Sequence, residues 1–318
     1  MASGAAPDDD LVRIVEVGAR DGLQNQPRVL EVGTRVALVE RLQQAGLREI
    51  EVGSFTSPRW VPQMANTAMV FQALEGRKTQ ALQTALVPNL RGAEAAVAAG
   101  CRDVTVLSAA SEAFCKANLN CSIEESLRRV GEIAAYALPQ GVRLRAAVST
   151  VVDCPFTGAV APGQVAAVVR QLHALGCRQI SLGDTTGAGT PGSVAAMLCA
   201  CLDVVPADRL AGHFHDTFGM GVANVAQALE QGIRVFDSSV SGLGGCPYSP
   251  GATGNVATED LVYLFDGLGL RCGVDMDRLL DAASFIDAAL ERRTDSRAGR
   301  ALRARARRVL AEDERSLA

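Results

Sequence analysis

Two histidines one residue apart, His213 and His215 in the run G-H-F-H-D, carry the sharpest chemical signal in the chain. Residues i and i+2 of a strand project from the same face. Both imidazoles therefore point one way, while Phe214 points to the other side and packs against whatever covers the sheet. Two imidazoles on one face, completed by a carboxylate from elsewhere, make a divalent-metal pattern. A lone histidine is ordinarily a satisfied core residue, but the chain has only three, and two of them are here.

The missing carboxylate is sought where other polar residues gather. One apolar run ends E-V-G-A-R-D-G at Glu16–Gly22, and another carries Glu51 just before Val52 and Gly53. An adjacent Arg-Asp pair in a loop is usually a surface ion pair of little consequence. At a strand end facing the histidines, Asp21 could instead complete the metal site, and Arg20 could hold a developing negative charge. Glu51 reads equally well as a solvent-facing acid or as a member of the site. Residues 241–255 form a long glycine- and proline-rich stretch that leads into a helix beginning near Val256, and it reads as a mobile lid. Cys246, between Gly245 and Pro247, is more accessible there than a core cysteine and is a candidate proton donor or nucleophile. The glycines do not cradle phosphate, because the P-loop spacing and its Lys-Ser/Thr are absent.

These groups need a scaffold that brings strand ends together. A repeated unit supplies one: an Ala/Leu/Gln-rich helical stretch, a glycine, one residue, an arginine, then a strand-like run. It recurs from Gly46, Gly100, Gly141, Gly176 and Gly232. Glycine after a helical stretch is a stop signal, and the β-branched run that follows is a strand start. With three further apolar strands the count is eight, near residues 12–18, 47–53, 82–88, 103–108, 142–150, 177–183, 209–216 and 234–240. Helical patterns include Thr34–Ala45, Ala93–Ala99, Ser122–Ala137, Gly163–Leu175, Ser193–Asp203 and Gly221–Gln231. Eight alternating β/α units predict an α/β fold, a (β/α)8 TIM barrel with additional C-terminal helices. Such barrels place reactive groups at the C-terminal ends of strands, where the polar residues above collect. An open doubly wound sheet is the alternative, but no G-x-G-x-x-G follows the first strand.

Composition agrees with this plan. A chain of 318 residues, 48% hydrophobic and 21% charged, has material for a large core, and barrels of about 250 residues commonly form one domain. Disorder is excluded by the apolar content. Net charge is −4, so no global basic field attracts nucleic acid. Apolar runs fall far short of the roughly 20 residues a membrane span requires. Residues 1–10 read as a disordered tail ending in three aspartates, with neither transit-peptide nor secretory character, so the expected location is the cytoplasm. Residues 11–300 then form the catalytic barrel with C-terminal helices, and 301–318 a basic then acidic tail. The eight arginines from Arg292 to Arg308 have no interleaved aromatic and read as a solvated helix face. Nine cysteines without C-x-x-C spacing read as small buried hydrophobes, Cys246 excepted.

Six segments resemble the 3-hydroxy-3-methylglutaryl-CoA lyase family, in order, from Leu11 to about Arg300: VEVGARDGLQNQ at 15–26, SFTSPRWVPQM at 54–64, SEAFCKANLNCSIEES at 111–126, GDTTGAGTPG at 183–192, HFHDTFG at 213–219 and GLGGCPYSPGATGNVATEDLVYL at 242–264. The resemblance implies a carbon–carbon lyase. It would split 3-hydroxy-3-methylglutaryl-CoA by metal-dependent retro-Claisen cleavage into acetyl-CoA and acetoacetate. Carried over by motif, Asp21, His213, His215 and Asn255 would ligate Mg²⁺ or Mn²⁺. Arg20 would stabilise the enolate oxygen, Glu51 and His213 would lie in the active site, and Cys246 would sit on the lid. Asn255 comes from the resemblance alone. An acyl-CoA substrate is implied, as is a homodimer by family analogy, with no nucleic-acid or membrane partner.

Departures from the family pattern are Ala19, Gln26, Thr186, Ala188 and the run Met220-Gly221-Val222. None removes a ligand or catalytic group, and those near the mouth bear on the acyl branch. Alternatives are a lyase for a longer-branched glutaryl-CoA or for citramalyl-CoA, a Claisen-condensing synthase, and a non-catalytic scaffold. A synthase would open on a D-x-R-E-type motif, and a scaffold would not need four metal ligands.

Overall fold

The computed structural model describes residues 10–77, 81–245 and 254–316. Its strands are β1 (Arg13–Glu16), β2 (Glu49–Ser54), β3 (Leu82–Leu86), β4 (Asp103–Ala109), β5 (Arg143–Ser149), β6 (Asp153–Cys154), β7 (Gly158–Ala159), β8 (Gln179–Asp184), β9 (Leu210–Phe214) and β10 (Val235–Ser238). Eight of them are parallel and close in the order β1-β10-β9-β8-β5-β4-β3-β2, while β6 and β7 form a small antiparallel ribbon after β5. The expected (β/α)8 barrel is present.

The helices are α1 (Val32–Gln44), α2 (Thr67–Leu74), α3 (Leu90–Ala98), α4 (Glu112–Leu119), α5 (Ile123–Ala137), α6 (Pro162–Ala174), α7 (Pro191–Leu202), α8 (Gly221–Glu230), α9 (Thr258–Gly267), α10 (Met276–Leu290) and α11 (Arg297–Ser316). Their starts follow side-chain chemistry. Asn89, Ser111, Ser122 and Thr190 each accept a backbone N–H of the first turn. The repeated glycine is the turn between helix and strand: Gly46, Gly100, Gly176 and Gly232 have φ of 99°, 86°, 91° and 84°, a region costly for other residues.

Alternation along the strands separates two interiors. Ile14, Ile50, Val52, Val104, Val106, Leu144, Val148, Ile180, Leu182, Phe214 and Phe236 are buried and belong to one apolar core shared with the helices. The inward face is largely polar. Arg178 meets Glu49 at 2.7 Å, Arg145 is paired with Asp237, and buried Asp103 meets the exposed Arg143 at the barrel's rim at 2.8 Å. Interior charges survive because each has a partner.

The first strand stops earlier than the sequence predicts. Val17 leaves the extended region, and Gly18–Gly22 form a single wide helical turn in which the Gly22 N–H reaches Val17 O at 3.1 Å. Buried Glu16 fixes this turn. Its carboxylate accepts from Gly18 N at 2.8 Å, Val240 N at 2.9 Å and Thr258 Oγ1 at 2.6 Å. The turn carries Arg20 and Asp21 over the barrel mouth. The segment after β10 is held similarly. Ser241 has a left-handed φ of 60°, and Glu259 accepts its N–H through both oxygens at 3.0 Å. The helix expected near Val256 starts at Thr258, because Asn255 and Ala257 first form bridges with His215 and Ser239.

Burial raises the Glu259 carboxyl from 4.5 to about 8. The folded state then binds a proton that the unfolded state has released, so this group's contribution falls as pH rises between those two values. Glu259→Gln keeps the shape and stays neutral. Its Tm relative to the parent is expected to rise progressively from pH 5 to pH 9. A Tm difference independent of pH would remove this account.

The arginine-rich end is helical. Arg297 pairs with Asp216, and Arg303 meets Asp287 at 3.1 Å, while Arg305, Arg307 and Arg308 are exposed. Of the described cysteines, Cys199 is exposed and Cys272 half-buried; the other six are buried. No helix among the described residues is long and apolar enough to cross a membrane.

Candidate active site

The C-terminal ends of the strands surround a cavity of about 1090 Å³, at the upper end for ligand pockets. Arg20, Asp21, His213 and His215 line it together. His213 is the next-to-last residue of β9, and His215 lies just past the strand end. There the chain pairs with the stretch carrying Asn255: Val256 N donates to Phe214 O at 3.0 Å, and Asp216 N to Gly254 O at 2.9 Å. This pairing places Asn255 beside the histidines. It needs glycines, since a Cβ on Gly254, at φ 100°, would sit 2.6 Å from Gly244 carbon. Cys246 and the rest of 246–253, the centre of the expected lid, lie outside the described residues.

Asp21, His213 and His215 each offer a ligand atom, and these atoms lie within 4.8 Å of one another. The two Nε2 atoms are 3.3 Å apart, and His213 Nε2 is 3.9 Å from Asp21 Oδ2. Asn255 Nδ2 donates to Asp21 Oδ2 at 2.8 Å, and Asn255 Oδ1 is buried without a partner among the described residues. A carboxylate and two imidazoles converging on one point fit a divalent cation, and the orphaned amide oxygen belongs to the Asn255 side chain that meets Asp21 beside them.

Arg20 is held from two sides. Its Nε donates to Glu51 Oε2 at 2.5 Å and its Nη1 to Asp21 Oδ1 at 2.6 Å. Glu51, on β2, is 2% exposed and stands behind Arg20, whereas Arg20 itself borders the cavity. The arrangement therefore brings Arg20, Asp21, Glu51, His213, His215 and Asn255 into one constellation.

Electrostatics keep the centre anionic where a cation would bind. Burial works against the Asp21 charge, but Arg20, then His213, together with the Asn255 hydrogen bond, outweigh it and hold the carboxyl below its usual value. Burial and then the neighbouring His213 push His215 down to about 4, leaving it neutral and able to ligate.

One residue in contact with this constellation escapes sequence reading. Asp237, on β10, lies opposite His213 in the register, and its Oδ2 is 3.0 Å from His213 Nδ1. Ser181 Oγ donates to the same oxygen at 2.6 Å, and Arg145 grips both oxygens. The available signal was alternation: in R-V-F-D-S, Asp237 falls on the inward face two residues after Val235.

A family model described as HMGL-like matches residues 11–286. Hydroxymethylglutaryl-CoA lyase of Pseudomonas mevalonii is 54% identical over 297 residues, which cover 93% of this chain and 98% of that one. This chain belongs to the HMGL-like family. A Pseudomonas aeruginosa relative named 3-hydroxy-3-isohexenylglutaryl-CoA/hydroxy-methylglutaryl-CoA lyase is 52% identical over 295 residues, with the same shares of the two chains. A solved HMG-CoA lyase of Acinetobacter baumannii, in complex with coenzyme A and 3-methylmalate, superposes with a TM-score of 0.88 at 34% identity, covering 93% of this chain and 97% of that one. Carbon–carbon lyases thus surround this member of the HMGL-like family, and its barrel is theirs.

Proposed function

We propose that this HMGL-like protein cleaves 3-hydroxy-3-methylglutaryl-CoA into acetyl-CoA and acetoacetate. The observation that carries the reading is the convergence of Asp21, His213 and His215 within 4.8 Å beside Arg20 on one cavity. The relatives' names supply the substrate. The bound coenzyme A of the A. baumannii lyase supports an acyl-CoA in this cavity.

In the reaction the tertiary hydroxyl loses its proton and its oxygen becomes the ketone of acetoacetate. The C2–C3 bond breaks, and its electron pair becomes the enolate of the acetyl thioester, which then takes a proton at C2. Asp21, His213, His215 and Asn255 would hold Mg²⁺ or Mn²⁺, whose chemistry is to acidify the hydroxyl and align it with the substrate carboxylate. Arg20 keeps its charge at any working pH, and its guanidinium donors on the cavity side meet the enolate oxygen as charge develops. Glu51 positions Arg20 through the 2.5 Å bond. Cys246 follows Gly245, which borders the cavity and whose carbonyl accepts from Asn25 at 2.9 Å. Its thiol is the candidate acid for C2.

The test is a coupled assay on EDTA-treated protein, following both products with and without Mg²⁺ or Mn²⁺. Equal release of acetyl-CoA and acetoacetate, restored only by the cation, is expected. No turnover by folded, cation-binding protein would sink the assignment.

A wider substrate range has support of its own. Leu86, Leu107 and Ala147, on β3, β4 and β5, make an apolar stretch of the cavity lining, and the 52% identical relative carries the isohexenyl substrate in its name. A panel of 3-hydroxy-3-alkylglutaryl-CoA thioesters decides whether longer branches are cleaved.

A further inference from the structure

We infer that Asp237 is a positioning residue that fixes the tautomer of His213, keeping a bare Nε2 aimed at the metal position. The inference rests on the metal-dependent reading above and concerns this chain's own hydrogen bonds. Asp237 Oδ2 receives Ser181 Oγ at 2.6 Å and Arg145 Nη1 at 3.1 Å, and Arg145 also holds Oδ1. Both oxygens thus receive guanidinium donors and one a hydroxyl as well, the surroundings of an ionised carboxylate. An ionised carboxylate only accepts. The 3.0 Å contact with His213 Nδ1 is therefore an N–H donated by the histidine. In neutral imidazole a hydrogen on Nδ1 leaves Nε2 as the lone-pair nitrogen. In that tautomer the lone-pair nitrogen is the one on the cavity side, beside His215 Nε2 at 3.3 Å. Ligation through His213 Nε2 is then compatible with the hydrogen that Asp237 holds on Nδ1.

The alternative is that Asp237 merely neutralises Arg145 inside the barrel. The two roles separate on substitution by asparagine. Arg145 presents donors to both carboxylate oxygens, and an amide has one oxygen to give. With that oxygen on the guanidinium, the NH₂ turns toward His213 and donates to Nδ1. The ring is driven to the Nε2–H tautomer, which caps the ligand nitrogen. Loss of a carboxylate behind a metal-bound histidine typically weakens metal binding by about 10–100-fold.

The experiment uses the full chain labelled with ¹⁵N-histidine. It contains three histidines, and His173→Gln assigns one of them. Expected in the Mg²⁺-loaded parent is a protonated Nδ1 and a bare Nε2 on His213. For Asp237→Asn, the His213 pattern should invert, and Mn²⁺ affinity by electron paramagnetic resonance should fall about tenfold or more. A bare Nδ1 on His213 in the Mg²⁺-loaded parent overturns the inference and needs no variant, so poor folding of Asp237→Asn leaves it testable. Unchanged Mn²⁺ affinity in a folded Asp237→Asn also overturns it, while leaving the lyase reading standing. A parent that binds no Mn²⁺ overturns both.

Discussion

Replacement of Arg20 by lysine is expected to lower kcat about 10²–10³-fold while leaving Mn²⁺ affinity within about threefold. The charge is kept, so the defect isolates geometry. Arg20 spends Nε on Glu51 at 2.5 Å and Nη1 on Asp21 at 2.6 Å, and its planar fork still has donors on the cavity side. A lysine ammonium on a flexible stem cannot hold both carboxylates and reach the substrate along fixed directions. Donors preorganised toward a developing oxyanion act in the transition state, so the loss falls on kcat rather than on binding. Methionine at this position would be a poorer test. It would leave Glu51, 2% exposed, as an unpaired buried charge, and that destabilises by about 3–5 kcal/mol. Steady-state kinetics with saturating cation provides the check, and a kcat for Arg20→Lys within threefold of the parent would remove Arg20 from the chemistry.

The residues that were legible from sequence are those whose meaning is local. His213 and His215 share a face because strand geometry has a period of two, and one strand suffices to see it. The barrel itself follows from a local device, the glycine that ends a helix before each arginine-led strand; Gly46, Gly100, Gly176 and Gly232 all adopt the left-handed backbone that this role demands. Asp237 was invisible because its importance lies in register. Nothing within R-V-F-D-S says that its fourth residue lies opposite His213, and only strand pairing shows it. Asn255 needed the family resemblance for the same reason, since it reaches the site through an antiparallel bridge to His215, 40 positions earlier in the chain. The wide turn at Gly18–Gly22 was missed because the acid that stabilises it, Glu16, draws its partners from Val240 and Thr258. Charges on the inward face, such as Glu49 and Arg145, look in sequence like solvent-facing alternation. A closed barrel has a second interior, and each of these charges is matched across it.

Asp21→Asn should have the opposite signature to Arg20→Lys: metal affinity collapses first, and activity follows it. Asp21 is the one anionic donor among the converging ligands, and Arg20 and His213 favour its charged form. Asparagine keeps the size and can still receive the Arg20 and Gln24 donors that meet Oδ1 at 2.6 and 3.1 Å, so the turn keeps its shape. Its NH₂ then takes the place of Oδ2, where it opposes the Asn255 Nδ2 that donated at 2.8 Å. The site thereby loses a negative oxygen and sets two amide NH₂ groups against each other at the position meant for a cation. Removing partners outside the ligand shell costs about 10–100-fold in metal affinity, so losing the anionic ligand itself should cost at least about 100-fold. At fixed low Mn²⁺ the variant should be nearly inactive, and raising the cation should recover part of the rate. That dependence separates a ligand from a bystander, because a defect in folding or in proton transfer would not respond to added metal. Titrating Mn²⁺ against both bound cation and product release tests it directly. If Asp21→Asn binds Mn²⁺ like the parent, the carboxylate does not belong to the metal centre, and the two histidines would require another acid from the same cavity.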